Sequence, residues 1–137
     1  QVWTADKAFA TGSWGYTAGT AKSTTTAVAG TTDDALYQKW RSAPGEYKFT
    51  VPNGTYEVTL RFAEFEATSR STRVMKITIE GAIVENTLNV STLVGNATAL
   101  NKVYQATVAD GILNIVFVMN GGKLDPMVAG IQVRKLP

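Results

Sequence analysis

Neither cysteine nor histidine occurs in the 137 residues. Their absence excludes disulfides, thiolate and imidazole metal sites, and every Ser/His or Cys/His nucleophile. A dominant charge is also lacking: 13 Lys and Arg stand against 11 Asp and Glu, and the cations are scattered. With a net charge of +2, no field points to nucleic acid or to an anionic membrane. No apolar run is long enough to span a bilayer, and no signal peptide opens the sequence at Gln1. The chain reads as a mature module or as a piece excised from a longer protein. Its 45% hydrophobic and 18% charged residues suit one globular domain, residues 1–137, large enough for a single core.

What is present is alternation. In "YKFTVPNGTYEVTLRFAEF" two alternating runs meet at Pro52, Asn53 and Gly54, a hairpin signal because Asn and Gly accept positive φ. Tyr56, Val58, Leu60 and Phe62 share one strand face, and Glu57, Thr59 and Arg61 share the other. "RVMKITIEG" closes at Glu80 and Gly81, with "AIVENTLNV" near enough to pair with it. "VYQATVADGILNIVFVM" turns at Asp110 and Gly111, and "MVAGIQVRKL" supplies a last strand. About eight or nine strands at this spacing, with no segment of helical period, predict an all-β sandwich. Residues 1–32 are rich in Gly, Thr, Ala and Ser and read as loop, with one short strand near Ala27 to Ala29.

"DDALYQKWRS" concentrates the chemistry. Leu36, Gln38 and Trp40 share one strand parity, and Tyr37, Lys39 and Arg41 the other. Trp40 is a core residue if Leu36 points inward, and a loop residue if the strand ends near Lys39. Tyr37 reads as structural, its hydroxyl tying down a loop. Asp33 and Asp34 offer hard oxygen ligands for a structural calcium, yet two adjacent Asp before a strand are equally a capped turn, the preferred reading. Glu64 and Glu66, two apart on a strand, lie about 7 Å apart, which overlaps the spacing of inverting glycosidase pairs. No third element supports catalysis, so the pair is read as acceptors for sugar hydroxyls. "EATSRSTR", with Arg70 and Arg73, is a solvated connection or a specificity loop beside Glu66.

"WTADKAF", "TTAVAGTTDDALYQKWR", "NGTYEVTLRFAE", "RVMKITIEG" and "DPMVAGIQV", in this order, resemble the malectin family of carbohydrate-binding domains over nearly the whole chain. The resemblance implies a jelly-roll β-sandwich of two antiparallel sheets, like galactose-binding domains, that binds sugar in a loop cleft without cutting it. Family members open with a strand of the type Ile-Asn-Ala-Gly-Gly; none stands here, and Val2 and Trp3 are candidates for its edge position. Aromatic ligand contacts of the family are replaced by Ser42, Glu66 and Ala67, its acidic contact corresponds to Asp125, and its early-loop tyrosine falls at Trp14 or Tyr16. Trp40 stands where relatives carry a polar residue and, with Trp14, Tyr16 and Tyr37, offers a new stacking platform. The expected ligand-binding set is Trp14, Tyr16, Tyr37, Trp40, Arg41, Glu64, Glu66 and Asp125. The implied protein is a non-catalytic module for a poly- or oligosaccharide, glucan-type first, on a secreted bacterial polysaccharide-degrading enzyme. No cofactor, nucleic acid or membrane partner is expected. The alternative is a structural or protein-interaction sandwich that has lost the sugar site.

Overall fold

The computed structural model describes residues 3–137. Its long strands form where apolar and polar residues alternate, because successive side chains leave a strand on opposite faces. In β5 (Gly54–Phe62), Tyr56, Val58, Leu60 and Phe62 are buried as the alternation requires. The same rule puts Met75, Ile77 and Ile79 of β6 (Arg73–Ile79) and Leu113, Ile115 and Phe117 of β9 (Ile112–Gly122) into one core with them. Each such side chain contributes about 1.5–3 kcal/mol on leaving water. This shared core holds the layers together.

One layer is a five-stranded sheet in the order β1 (Trp14–Tyr16), β4 (Glu46–Thr50), β9, β6, β7 (Ala82–Leu88). The other comprises two three-stranded sheets. The first is ordered β11 (Gly130–Lys135), β5, β8 (Leu100–Val108), and the second β10 (Met127–Val128), β3 (Lys39–Ser42), β2 (Thr20–Ser23). All of these pairings are antiparallel. A single residue, Ala129, separates β10 from β11, and its N–H donates to the Arg61 carbonyl at 2.9 Å. The second sheet of the expected sandwich is therefore one layer bent at Ala129. At the far side the layers are tied by Tyr104 of β8, whose hydroxyl donates to Glu85 of β7 at 2.6 Å.

The expected hairpin at Pro52–Gly54 is not one. β4 pairs with β1 and β9, whereas β5 pairs with β11 and β8, so the turn carries the chain between layers. The Asp110–Gly111 turn does the same for β8 and β9. The two corners are bonded together: Val51 N–H donates to Gly111 O at 3.0 Å, and Asn53 Oδ1 accepts Gly111 N–H at 2.8 Å. The Glu80–Gly81 turn is a true hairpin, with Ile79 opposite Ala82 and both turn residues at positive φ, 52° and 77°. That is the geometry of a type I′ turn.

The early region departs most from expectation. Where loop was expected, β1 and β2 form, and Ala29 makes only an isolated bridge to Thr98. Trp14 is thus in a strand, opposite Phe49 of β4, and the two rings stack at 5.9 Å. Gly15 is required between Trp14 and Tyr16, since a Cβ there would lie 2.4 Å from Lys7 O. Likewise, the strand expected through Leu36 begins only at Lys39, because Asp34–Tyr37 makes one helical turn, α1. Asp34 fixes it by accepting Val28 N–H at 3.1 Å, and Tyr37 packs beneath it with Val28 and Ala63. A second turn, α2 (Val90–Val94), is capped by Asn89, whose side chain accepts Thr92 N–H. Both helices are too short to impose a readable period. Val2 lies outside the described residues; Trp3 packs over Arg61, the guanidinium carbon 5.3 Å from its ring centre.

Candidate functional site

The bend at Ala129 leaves β11 as an edge strand, and beside it opens a cleft of about 1120 Å³. One wall comes from β1 and β4, with Trp14, Tyr47 and Phe49. The other is Val128, Ile131 and Val133, and Trp3 to Asp6 contribute to the lining. Ligand pockets are typically apolar concavities with a few placed polar groups. Here the charged groups are Asp6, Lys22, Asp33, Lys39 and Arg41, with Gln132 beside them. Backbone adds to them. Leu136 N–H donates to Thr55 O, which fixes Gln132 and Arg134 as the residues hydrogen-bonded to β5. Ile131 and Val133 between them turn their N–H and C=O groups to the free edge.

Arg41 is the best-anchored polar group of the cleft. It is buried on β3, and its guanidinium carbon lies 3.4 Å from the centre of the Tyr16 ring. Its NH1 donates to Gly19 O at 2.7 Å and its Nε to Asp6 Oδ2 at 2.7 Å. Gly19 must be glycine to bring its carbonyl there, because a Cβ would sit 2.3 Å from Ser42 O. Tyr47, also buried, donates its hydroxyl to Asp6 Oδ1 at 2.8 Å. Burial first, then the bond to Asp6 and its negative charge, push the Tyr47 phenol well above its ordinary pKa. The residue therefore acts as a donor throughout the physiological range.

Of the eight expected ligand residues, Trp14, Trp40 and Arg41 line the cleft, and Tyr16 supports Arg41 from behind. Trp40 is only 8% exposed and stacks on Phe65 at 5.3 Å, which puts it at the floor rather than on a platform. Tyr37 is 2% exposed and donates to Asn101 Oδ1 at 2.5 Å, in the satellite core under α1. Glu64 and Glu66 follow the end of β5 and meet at one guanidinium: Arg73 reaches Glu64 Oε2 at 3.4 Å and Glu66 Oε1 at 2.8 Å. Lys22 adds a bond to Glu66 at 3.1 Å. Asp125 is exposed in the loop before Pro126, away from the cleft lining. Among the described residues no three Asp or Glu side chains converge as a metal site would require. Sequence reasoning missed Asp6, Tyr47 and the β11 edge. Tyr47 was within reach, since it faces inward with Phe49 and a buried hydroxyl needs a partner.

A family model for the malectin domain matches residues 1–131. The chain belongs to the malectin domain family. This malectin domain has a carbohydrate-binding type of fold. Two structures of Bacteroides uniformis β-glucuronidase, one covalently bound to cyclophellitol-6-carboxylate aziridine, are 30% and 31% identical to it, with TM-scores of 0.90 and 0.91. They match 98% of this chain, which spans only 15% and 16% of theirs. The extracellular domain of ANXUR2 from Arabidopsis thaliana shares the fold at 17% identity and a TM-score of 0.74, over 87% of this chain and 39% of that one. No curated protein matches the sequence significantly. No described helix is long and apolar enough to cross a membrane.

Proposed function

We propose that this malectin domain is a non-catalytic module that binds a poly- or oligosaccharide in the cleft beside β11. The observation that carries the reading is the cleft itself, with its indoles, anchored Arg41 and edge-strand backbone groups, in a chain of a carbohydrate-binding family. Aromatic faces suit the C–H faces of pyranose rings, and the polar rim suits their hydroxyls. Of the expected residues, Trp14, Trp40 and Arg41 stay in the proposed site. Tyr16, Tyr37, Glu64, Glu66 and Asp125 become supporting or remote residues. The ion-paired Glu64 and Glu66 support the non-catalytic reading, because a hydrolase pair must flank the scissile bond rather than share an arginine.

The module would ride on a larger secreted bacterial enzyme and hold it near its substrate by raising effective concentration. Its likeness to a small part of the Bacteroides β-glucuronidases supports that setting. Burial of Trp40 and Tyr37 favours a second reading, a structural or protein-interaction sandwich without a sugar platform. Titration calorimetry of the protein and Trp14→Ala against soluble glucans, xylans, mannans and pectins separates the two. Micromolar to millimolar binding, weakened by about fivefold or more in a folded Trp14→Ala, supports the module. A silent panel supports the second reading.

A further inference from the structure

Two arginines of this chain are buried, Arg41 and Arg73, and they are partnered differently. Arg73 is shared by two carboxylates, the buried Glu64 at 3.4 Å and the one-third-exposed Glu66 at 2.8 Å, both on the loop just after β5. Arg41 faces Asp6, whose side chain is 37% exposed and belongs to a cleft-lining segment without regular secondary structure. The fixed half of this second pair is cationic. Arg41 is held by the Tyr16 ring and Gly19 O, so that its Nε and the Tyr47 hydroxyl converge on one place in the cleft. That place is filled by a carboxylate: Oδ2 accepts Arg41 Nε–H at 2.7 Å and Oδ1 the Tyr47 hydroxyl at 2.8 Å, with a further local bond from Lys7 N–H at 3.1 Å. Positioned nitrogen and hydroxyl donors of this kind recognise a planar carboxylate as such, whichever molecule carries it.

The charge of the cleft agrees. Lys22, Lys39 and Arg41 line it against Asp6 and Asp33, so with Asp6 withdrawn three cations face one anion. Lys39 has no ion-pair partner among the described residues, whereas Lys22 is tied to Glu66.

We propose that the ligand of this cleft carries a carboxylate, as a uronic acid unit, and that Arg41 and Tyr47 bind it in the place of Asp6. The inference rests on the cleft being the sugar site, and deepens that reading by naming the ligand class. Asp6 is then a stand-in held by the chain itself. Because it is tethered, it competes at the high effective concentration of an intramolecular group. A ligand must displace it, and removing it must tighten binding.

The test uses two sugars that differ only at C6, methyl β-D-glucuronoside and methyl β-D-glucoside, titrated into ¹⁵N-labelled protein while the Arg41 Nε–H resonance is followed. The expected result is that the glucuronoside moves that resonance in the wild type. It should bind Asp6→Asn at least about tenfold more tightly, the scale of a charge-assisted hydrogen bond. The glucoside should not distinguish the two proteins. Asp6→Ala repeats the comparison without an amide, and if either variant fails to fold, the wild-type difference between the sugars still decides. Equal affinity of the glucuronoside for wild type and a folded Asp6→Asn, or a glucuronoside no better than the glucoside, overturns the carboxylate site. Neutral glycans that still perturb Trp14 would in that case leave the module reading standing. A glucuronoside response at Arg41 with silent neutral glucans, xylans and mannans would uphold both the carboxylate site and the sugar-binding reading, and would exclude only a neutral polysaccharide as the ligand.

Discussion

Truncating Trp40 to alanine separates floor from platform. The indole is 8% exposed, sits in the main core cluster and stacks on Phe65 at 5.3 Å with 28° between planes. Removing a buried aromatic of this kind costs about 3–5 kcal/mol, including the cavity and the lost stacking. For 137 residues the unfolding entropy near the midpoint is about 0.29 kcal/mol/K, so the melting temperature should fall by about 10–17 °C. Trp40→Phe keeps most of the packing and removes an indole N–H that is buried without a partner among the described residues. It should cost less than about 1.5 kcal/mol, or about 5 °C. Calorimetric or circular-dichroism melts of the three proteins supply the comparison. A Trp40→Ala protein that melts within about 2 °C of the parent yet loses carbohydrate binding would refute the burial argument and restore Trp40 as a contact surface.

Other perturbations have equally definite outcomes. Arg73→Ala leaves the Glu64 carboxylate buried without its cation and should cost about 3–5 kcal/mol in denaturant melts, whereas Arg73→Met combined with Glu64→Gln should recover much of that loss. Tyr47 and Tyr104 both have phenol pKa values raised in the folded state, by burial first and then by bonds to Asp6 and Glu85. Their contribution is fully present below the unfolded phenol value of about 10 and is lost progressively as pH rises above it. The alkaline decline in stability should therefore be shallower in Tyr47→Phe and Tyr104→Phe. In hydrogen exchange the amides of Gln132 and Arg134, bonded to β5, should be protected, and those of Ile131 and Val133 should exchange faster. Protection of all four would mean that the β11 edge is already covered.

The parts of this molecule that were legible in the sequence are those decided by local alternation. β5 is the clearest, since one face of nine residues is apolar and that face is buried. The Pro52–Gly54 turn shows why topology was less readable. Asn and Gly announce that the chain turns, but turn chemistry carries no information on whether the next strand stays in the layer or crosses it. β1 is three residues long and exists because β4 lies beside it to pair with; no period can be read in three residues. The site fared worst for the same reason. Asp6 lies 35 residues from Arg41 and 41 from Tyr47, so only the fold brings the three together. Trp40 illustrates the converse error. As a platform it needed the strand to end near Lys39 and leave it in a loop; instead α1 makes Lys39 the start of β3, and Trp40 is buried within that strand.

The measurement that bears most directly on the sugar site is chemical-shift mapping of ¹⁵N-labelled protein with whichever soluble glycan binds in the calorimetric panel. Binding in the cleft predicts perturbations at the Trp14 indole N–H, at Arg41 Nε–H and at the Ile131 and Val133 amides. Perturbations confined instead to Glu66–Arg73 and Lys123–Asp125 would place the sugar at the loops and contradict the account.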